Sequence, residues 1–382
     1  MNIVIRFLLI LLSVYCEYSK KVRFDSYKVV ELKPIGQELV DYLVDMEADI
    51  WSNNGESVIS FMSPLQVREI QESGLCEMEF GSENIQALID DEDNRLNVQP
   101  SSAFSVDQWF TEYHRYDEIV KWYNQLAMKF PDLVSVEDSI GKTHEGRDII
   151  AVRVTNTKSD LKKSKIWIQS LQHAREWISG ATTQYIVHKL LTDYETDSTF
   201  LDTVDLYVIP VVNPDGYEYT FDVNRMWRKN RRNNFRGFGV DLNRNWDDHW
   251  AMKGTSNNPR SEIYHGPSAA SEPEVKALAA YFLKQRDIIA AIDFHSFSQL
   301  ILRPYGWTRN DGEHERNHAV VSDLMAKAIK LKSGKSYAPK KSTDLVNVFN
   351  FSIRLVEVLR IGFMASKSEE VLGKELTVLQ LN

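Results

Sequence analysis

The sequence predicts an α/β fold, with a mixed, mostly parallel central sheet and helices on both faces. Two observations carry this. From about Ala103 onward, apolar strand candidates alternate with helical stretches. Within that region VDLYVIPVV (204–212) and IIAAIDF (288–294) are unbroken apolar runs, as required of strands buried on both faces. A third observation, short strands and helices alternating ahead of Ala103, predicts a separate small α+β unit.

In chain order, MNIVIRFLLILLSVYC has a basic start and an apolar run too short to span a bilayer comfortably. It reads as a secretory signal peptide over residues 1–16, with a membrane anchor as the competing reading. No later segment is long and apolar enough to span, so the product is expected to be soluble, exported and free of membrane association. Cys16 leaves with the signal and only Cys76 remains, which rules out an intramolecular disulfide and leaves stability to a large core. Tyr27–Leu32, Ser57–Met62 and Cys76–Phe80 read as strands; Gln37–Met46, Leu65–Glu72 and Asn84–Asp90 read as helices. This unit is assigned residues 17–95. The acidic, then polar, run DDEDNRLNVQPSSAFS has linker chemistry, with the linker proper at 96–103. Arg95 there is a natural site for a trypsin-like cut.

Residues 104–382 form the large domain. Helices are expected at Tyr116–Phe130, Trp177–Tyr194 and Glu315–Leu331, and strands at Asp148–Val154, Lys165–Ser170, 204–212 and 288–294. SEPEVKALAAYFLKQR has Ser271 as a capping residue, Glu274 three positions on and a proline in the first turn. A final helix is expected at Glu369–Asn382 from apolar spacing. Composition is ordinary, at 43% hydrophobic and 26% charged. The net charge of −9 argues against nucleic acid or an anionic membrane as partner.

Open α/β sheets place their sites beyond the carboxyl ends of the strands. HAREW follows the strand ending near Ser170, and HSFSQ follows the one ending near Phe294. His173, Glu176 and His295 can therefore converge. Two histidines and a carboxylate make a catalytic zinc set with one position left open. A lone His-x-x-Glu pair is more often a solvated face, and a lone histidine such as His295 a satisfied core residue. The combination at two strand ends is what raises the signal.

HAREWIS, NPDGYEYT, WRKNRR, GVDLNRNW, YHGPSAASEPEV and DFHSFSQLILRPYGW together resemble the zinc metallocarboxypeptidases of the pancreatic A/B type, peptidase family M14, which are secreted as zymogens. The resemblance implies a carboxypeptidase-like catalytic domain behind a ferredoxin-like activation pro-domain. It implies one Zn2+ held by His173, Glu176 and His295, with Asp241 orienting His173 from behind. Asn243 and Arg244 would grip the free carboxylate of a peptide's last residue, as a planar guanidinium suits. Arg228 would stabilise the oxyanion and Arg175 would draw in the peptide backbone. Leu302 and Gly306 match members preferring apolar or aromatic ends. The implied partners are peptide or protein C-termini and an activating trypsin-like protease, acting on a monomer. Arg225 and Arg231 receive no role, and most of the basic run RKNRR is read as solvated.

The pattern breaks late. The family's catalytic glutamate has one candidate here, Glu357 in RLVEVLRIGFM, and the match needs a one-residue shift, which in a strand turns the side chain to the other face. Val346 stands where a mobile tyrosine is usual, and the glycine-rich loop between is missing. Two rival readings therefore stand beside the exopeptidase: a zinc-containing protein that binds peptide termini without turnover, and an endopeptidase using the same metal.

Overall fold

The computed structural model describes residues 21–344, apart from residues 35, 54–55, 82–83, 97–108 and 253, together with 377–381. Residues 1–16, read from the sequence as a signal peptide, the stretch 97–108, Val346 and Glu357 lie outside the described residues.

The N-terminal unit runs β1 (Lys28–Lys33), α1 (Gln37–Asp45), β2 (Asp49–Asn53), β3 (Val58–Met62), α2 (Pro64–Ser73), β4 (Glu77–Phe80) and α3 (Ile85–Leu96). Its antiparallel sheet has the order β2-β3-β1-β4. It closes over its own apolar core of Val30, Leu32, Leu39, Leu43, Val58 and Met62. α2 starts where a capping box predicts: Ser63 and Gln66 satisfy each other's backbone N–H groups, and Gly74 ends the helix at φ 64°. β2 was not anticipated, because DIWSN carries only two strand formers, Ile50 and Trp51, among polar residues. α3 takes Asp90–Arg95 into helix where linker was expected. Arg95 pairs with Asp91 one turn back, and Leu96 packs against the core of the large unit.

The large unit runs α4 (Tyr116–Lys129), β5 (Val134–Lys142), β6 (Asp148–Val154), β7 (Ser164–Ser170), α5 (Trp177–Thr192), α6 (Thr199–Thr203), β8 (Val204–Ile209) and α7 (Pro214–Asp222). A small hairpin, β9 (Asn233–Asn234) and β10 (Gly237–Phe238), precedes α8 (Pro273–Gln285), β11 (Ile288–Phe294), β12 (Leu300–Arg303), α9 (Glu315–Ser333), β13 (Ala338–Lys341) and β14 (Thr377–Leu381). The sheet order is β13-β12-β14-β11-β7-β8-β6-β5, parallel through β14, β11, β7 and β8. Alternate residues feed two cores. Ile150, Val152, Ile168, Leu206 and Val208 face α4, α5 and α7, whereas Ile149, Trp167, Tyr207 and Ile209 face α8.

Three expectations are corrected. The strand expected over 204–212 stops at Ile209, since Pro210 has no N–H for the ladder. Ser271 does not cap α8; Glu272 stands at the cap, and the Ser271 hydroxyl donates to the Glu272 carboxylate instead. Of the helix expected at Glu369–Asn382, the described residues 377–381 form β14 instead, with TVLQL in the slot between β11 and β12. A short apolar run reads equally as strand or helix, and an open sheet edge decides for strand.

A buried polar knot fixes the segment after Arg228. Asn230 Nδ2 donates to Glu272 (2.7 Å) and Glu274 (3.1 Å), while His144 Nε2 lies 2.8 Å from Glu272. Burial pushes the Glu274 carboxyl up from 4.5 to about 7. The folded chain then holds a proton that the unfolded chain has lost, so this group's contribution to stability declines as pH rises from 4.5 to about 7. Glu274→Gln should remove that decline: relative to the unaltered chain, it should gain about 1–3 kcal/mol between pH 5 and pH 8, read from urea unfolding at the two values.

Candidate active site

β7 and β11 are adjacent and parallel, with Ser170 opposite Phe294 at their carboxyl ends. The residues that follow both strands therefore emerge side by side. Leu171 turns the chain with φ 55°, an uncommon conformation for a leucine, and is fully buried. Its N–H donates to Ser179 Oγ and its carbonyl accepts from Asn213. Gly180 makes room for this turn: a Cβ there would stand 2.5 Å from Leu171 Cδ1. The turn delivers His173 and Glu176 to the mouth of the sheet, and His295 arrives directly from β11.

The three meet as their spacing predicts. His173 Nδ1 lies 2.8 Å from Glu176 Oε1, His295 Nδ1 lies 2.9 Å from Glu176 Oε2, and the two Nδ1 atoms are 3.0 Å apart. All three residues are buried. Burial opposes charge on Glu176, but the flanking imidazoles hold its carboxyl far below the usual range. Burial likewise pulls the His295 imidazole down, and Asp293 with Glu176 overcomes it, to about 10. The donor set suits a metal. Two imidazole nitrogens and a carboxylate facing one another at this range offer three donor atoms to a cation between them, and ligands about 2.1 Å from a tetrahedral zinc stand roughly 3.4 Å apart.

Asp241 backs the group. Its Oδ1 is 3.1 Å from His173 Nε2 and accepts from Asn243 N; its Oδ2 accepts from Arg228 at 3.0 Å. Arg228 also stands 3.6 Å from Glu176. Arg244 is completely buried and donates to the Gly254 carbonyl, and Asn243 Nδ2 is buried without a partner among the described residues. Arg175, Arg228 and Arg244 line one cavity of about 570 Å3. The N-terminal unit closes its other side: Asp49 grips Arg175 with two hydrogen bonds, at 2.6 and 2.9 Å. Burial pushes the Asp49 carboxyl up, and Arg175 outweighs it and holds it low. Burial and Asp49 together push Glu262, on the same cavity, up.

Leu302 and Gly306 do not line this cavity. Leu302 is fully buried in the core facing α8, and Gly306 lies buried in the turn after β12. The basic run is not a solvated cluster. Lys229 is 2% exposed and donates to the carbonyls of Pro259 and Ser261. Arg231 stacks on Tyr219 at 3.6 Å, and Arg232 pairs with Glu272. Arg225, given no role from sequence, lies 3.7 Å over Trp177 and pairs with Glu92 of α3. Sequence reasoning also missed Asp49 and Asp293. Asp293 carried a readable signal, an acid two residues before a candidate ligand on one strand; Asp49 carried none.

Residues 119–352 match the zinc carboxypeptidase family, peptidase M14. Zinc carboxypeptidase A 1 of Anopheles gambiae is 36% identical over 331 residues, covering 82% of this chain and 73% of that protein. Human carboxypeptidase A1 is 33% identical over 374 residues, covering 90% and 88%. The crystal structure of carboxypeptidase A from Helicoverpa armigera superposes with a TM-score of 0.81 at 27% identity, over 95% of this chain and 89% of that one. The chain therefore belongs to the zinc carboxypeptidases, a family of metal-dependent hydrolases whose cofactor is zinc.

Proposed function

We propose that the chain is a secreted, monomeric precursor which, once cut near Arg95 by a trypsin-like protease, hydrolyses the last peptide bond of substrates with apolar or aromatic C-termini. One observation carries this: three guanidinium groups, of Arg175, Arg228 and Arg244, line a single cavity, and one of them reaches the His173–Glu176–His295 group. An exopeptidase needs this combination, a cationic receptor for a chain end beside the reacting carbonyl.

In this reading His173, Glu176 and His295 hold zinc, which when bound supplies Lewis acidity for the scissile carbonyl and an acidified water. Asn243 and Arg244 bind the terminal carboxylate. Arg244 is anchored by Gly254 and by the Asn243 carbonyl, so its fork is oriented before the peptide arrives. Arg228, fixed by Asp241, stabilises negative charge on the carbonyl oxygen. Arg175 receives the peptide backbone once Asp49 has left. Glu357 is assigned the proton transfers, from water and then to the leaving amine.

The second reading, a peptide-terminus-binding protein without turnover, is favoured by one observation. The strand beside β11 is Thr377–Leu381, which carries no acid, and β7 holds the other edge.

After trypsin treatment, a blocked dipeptide ending in phenylalanine should be hydrolysed above a zinc-stripped control; no release above that control selects the binding reading. Arg244→Ala should lower kcat/KM by about 30- to 1,000-fold, the cost of truncating one partner of a buried charge pair. An endopeptidase would instead keep cleaving C-terminally amidated peptides after that change. Asp49→Ala leaves Arg175 without its bidentate partner and weakens the hold of the N-terminal unit by about 2–4 kcal/mol. The uncut chain carrying it should bind C-terminal peptides more tightly than the unaltered uncut chain, by titration calorimetry.

A further inference from the structure

We infer that Asp293 is a positioning residue for His295, so that both histidines of the metal group, rather than one, are backed by a buried carboxylate. The inference rests on the reading of His295 as a zinc ligand. Because both Nδ1 atoms point into the group, both Nε2 atoms point away from it. Behind His173 stands Asp241, 3.1 Å from Nε2. Behind His295 stands Asp293, with Oδ2 3.0 Å from Nε2. The motif resemblance supplies the first partner and is silent on the second.

Strand geometry explains the placement. Asp293 and His295 are two residues apart along β11 and its continuation, so they lie on one face. Gln172, next to His173 in the chain, donates to the same Asp293 oxygen, and its own Oε1 accepts from Trp246 Nε1. The backing carboxylate of one histidine is thus tied to the neighbour of the other. The contact with His295 has the distance of an ion pair without the direction of a hydrogen bond, so charge carries most of its effect.

The fold gives no reason of its own for this acid. Asp293 is 7% exposed, sits in the otherwise apolar run IIAAIDF, and its Oδ1 has no partner among the described residues. A buried carboxylate with an unmatched oxygen costs stability that an apolar residue there would not. What the acid supplies is a negative charge 3.0 Å behind Nε2. That charge favours the proton on Nε2, leaving the Nδ1 lone pair aimed at the metal, and makes that lone pair a better donor.

The test measures zinc affinity of the full chain by chelator competition, with unfolding of the zinc-stripped protein followed in parallel. Asp293→Ala should weaken zinc binding about 10- to 100-fold. Asp293→Asn, which keeps an acceptor but loses the charge, should weaken it less. The zinc-stripped variants should be at least as stable as the stripped parent. Zinc affinity within twofold of the parent in both variants overturns the inference. So does a loss of stripped-state stability with unchanged affinity, which marks a merely structural residue. If Asp293→Ala does not fold, Asp293→Asn alone decides by the same criteria. His295→Ala serves as control: undiminished zinc uptake there defeats the ligand reading itself, independently of Asp293.

Discussion

The site depends on Asp241, a carboxylate with no exposure to solvent. One oxygen faces His173 Nε2 and accepts the Asn243 backbone N–H; the other accepts from Arg228. Burial raises the cost of its charge, and Arg228, with His173 after it, repays that cost and holds the carboxyl well below its usual range. A single group thereby braces the His173 ring, the Arg228 guanidinium and the short turn that carries Asn243 and Arg244. Losing it would remove the brace shared by the His173 ring and the Arg228 guanidinium, so the geometries of the two cannot vary independently.

Which parts of this were legible follows from how local each cause is. Strands buried on both faces announce themselves, and Asp148–Val154 and Ile288–Phe294 were read to the residue. The metal group was legible because both of its halves sit at strand ends, where topology forces convergence. Contacts between distant segments were not. RKNRR reads as solvated charge until Pro259, Glu272 and Tyr219 are brought against it. The strand TVLQL is indistinguishable from a helical turn until a sheet edge needs filling. Asp49 has no local signature, because its meaning comes from Arg175, 126 residues away.

The N-terminal unit and the cavity form an electrostatic system of their own. Asp49 occupies Arg175 with a carboxylate, the same chemical group a peptide substrate would bring to the neighbouring arginines. Glu262 completes the set: it is driven toward its neutral form by burial and by Asp49, and drawn the other way by Arg175 and Lys229. Arg225 adds a second clasp, stacked on Trp177 and paired with Glu92 of α3. Both clasps join the N-terminal unit to the large one through charged groups, Asp49 with Arg175 and Glu92 with Arg225.

The sheet itself limits how catalysis can be completed. At its carboxyl end β11 has two edges, and β7 and β14 occupy them in register from Ala290 to Phe294. A proton-transferring carboxylate delivered by a neighbouring strand would have to come from one of those two. β7 already delivers His173 and Glu176, and β14 carries Thr377 to Leu381, none of them ionisable. Among the described residues, neither neighbour of β11 brings a carboxylate other than Glu176 to the metal group. His173, Glu176, His295 and Arg228 are instead held by buried, cross-braced contacts with Asp241 and with one another, which keeps the group's geometry fixed.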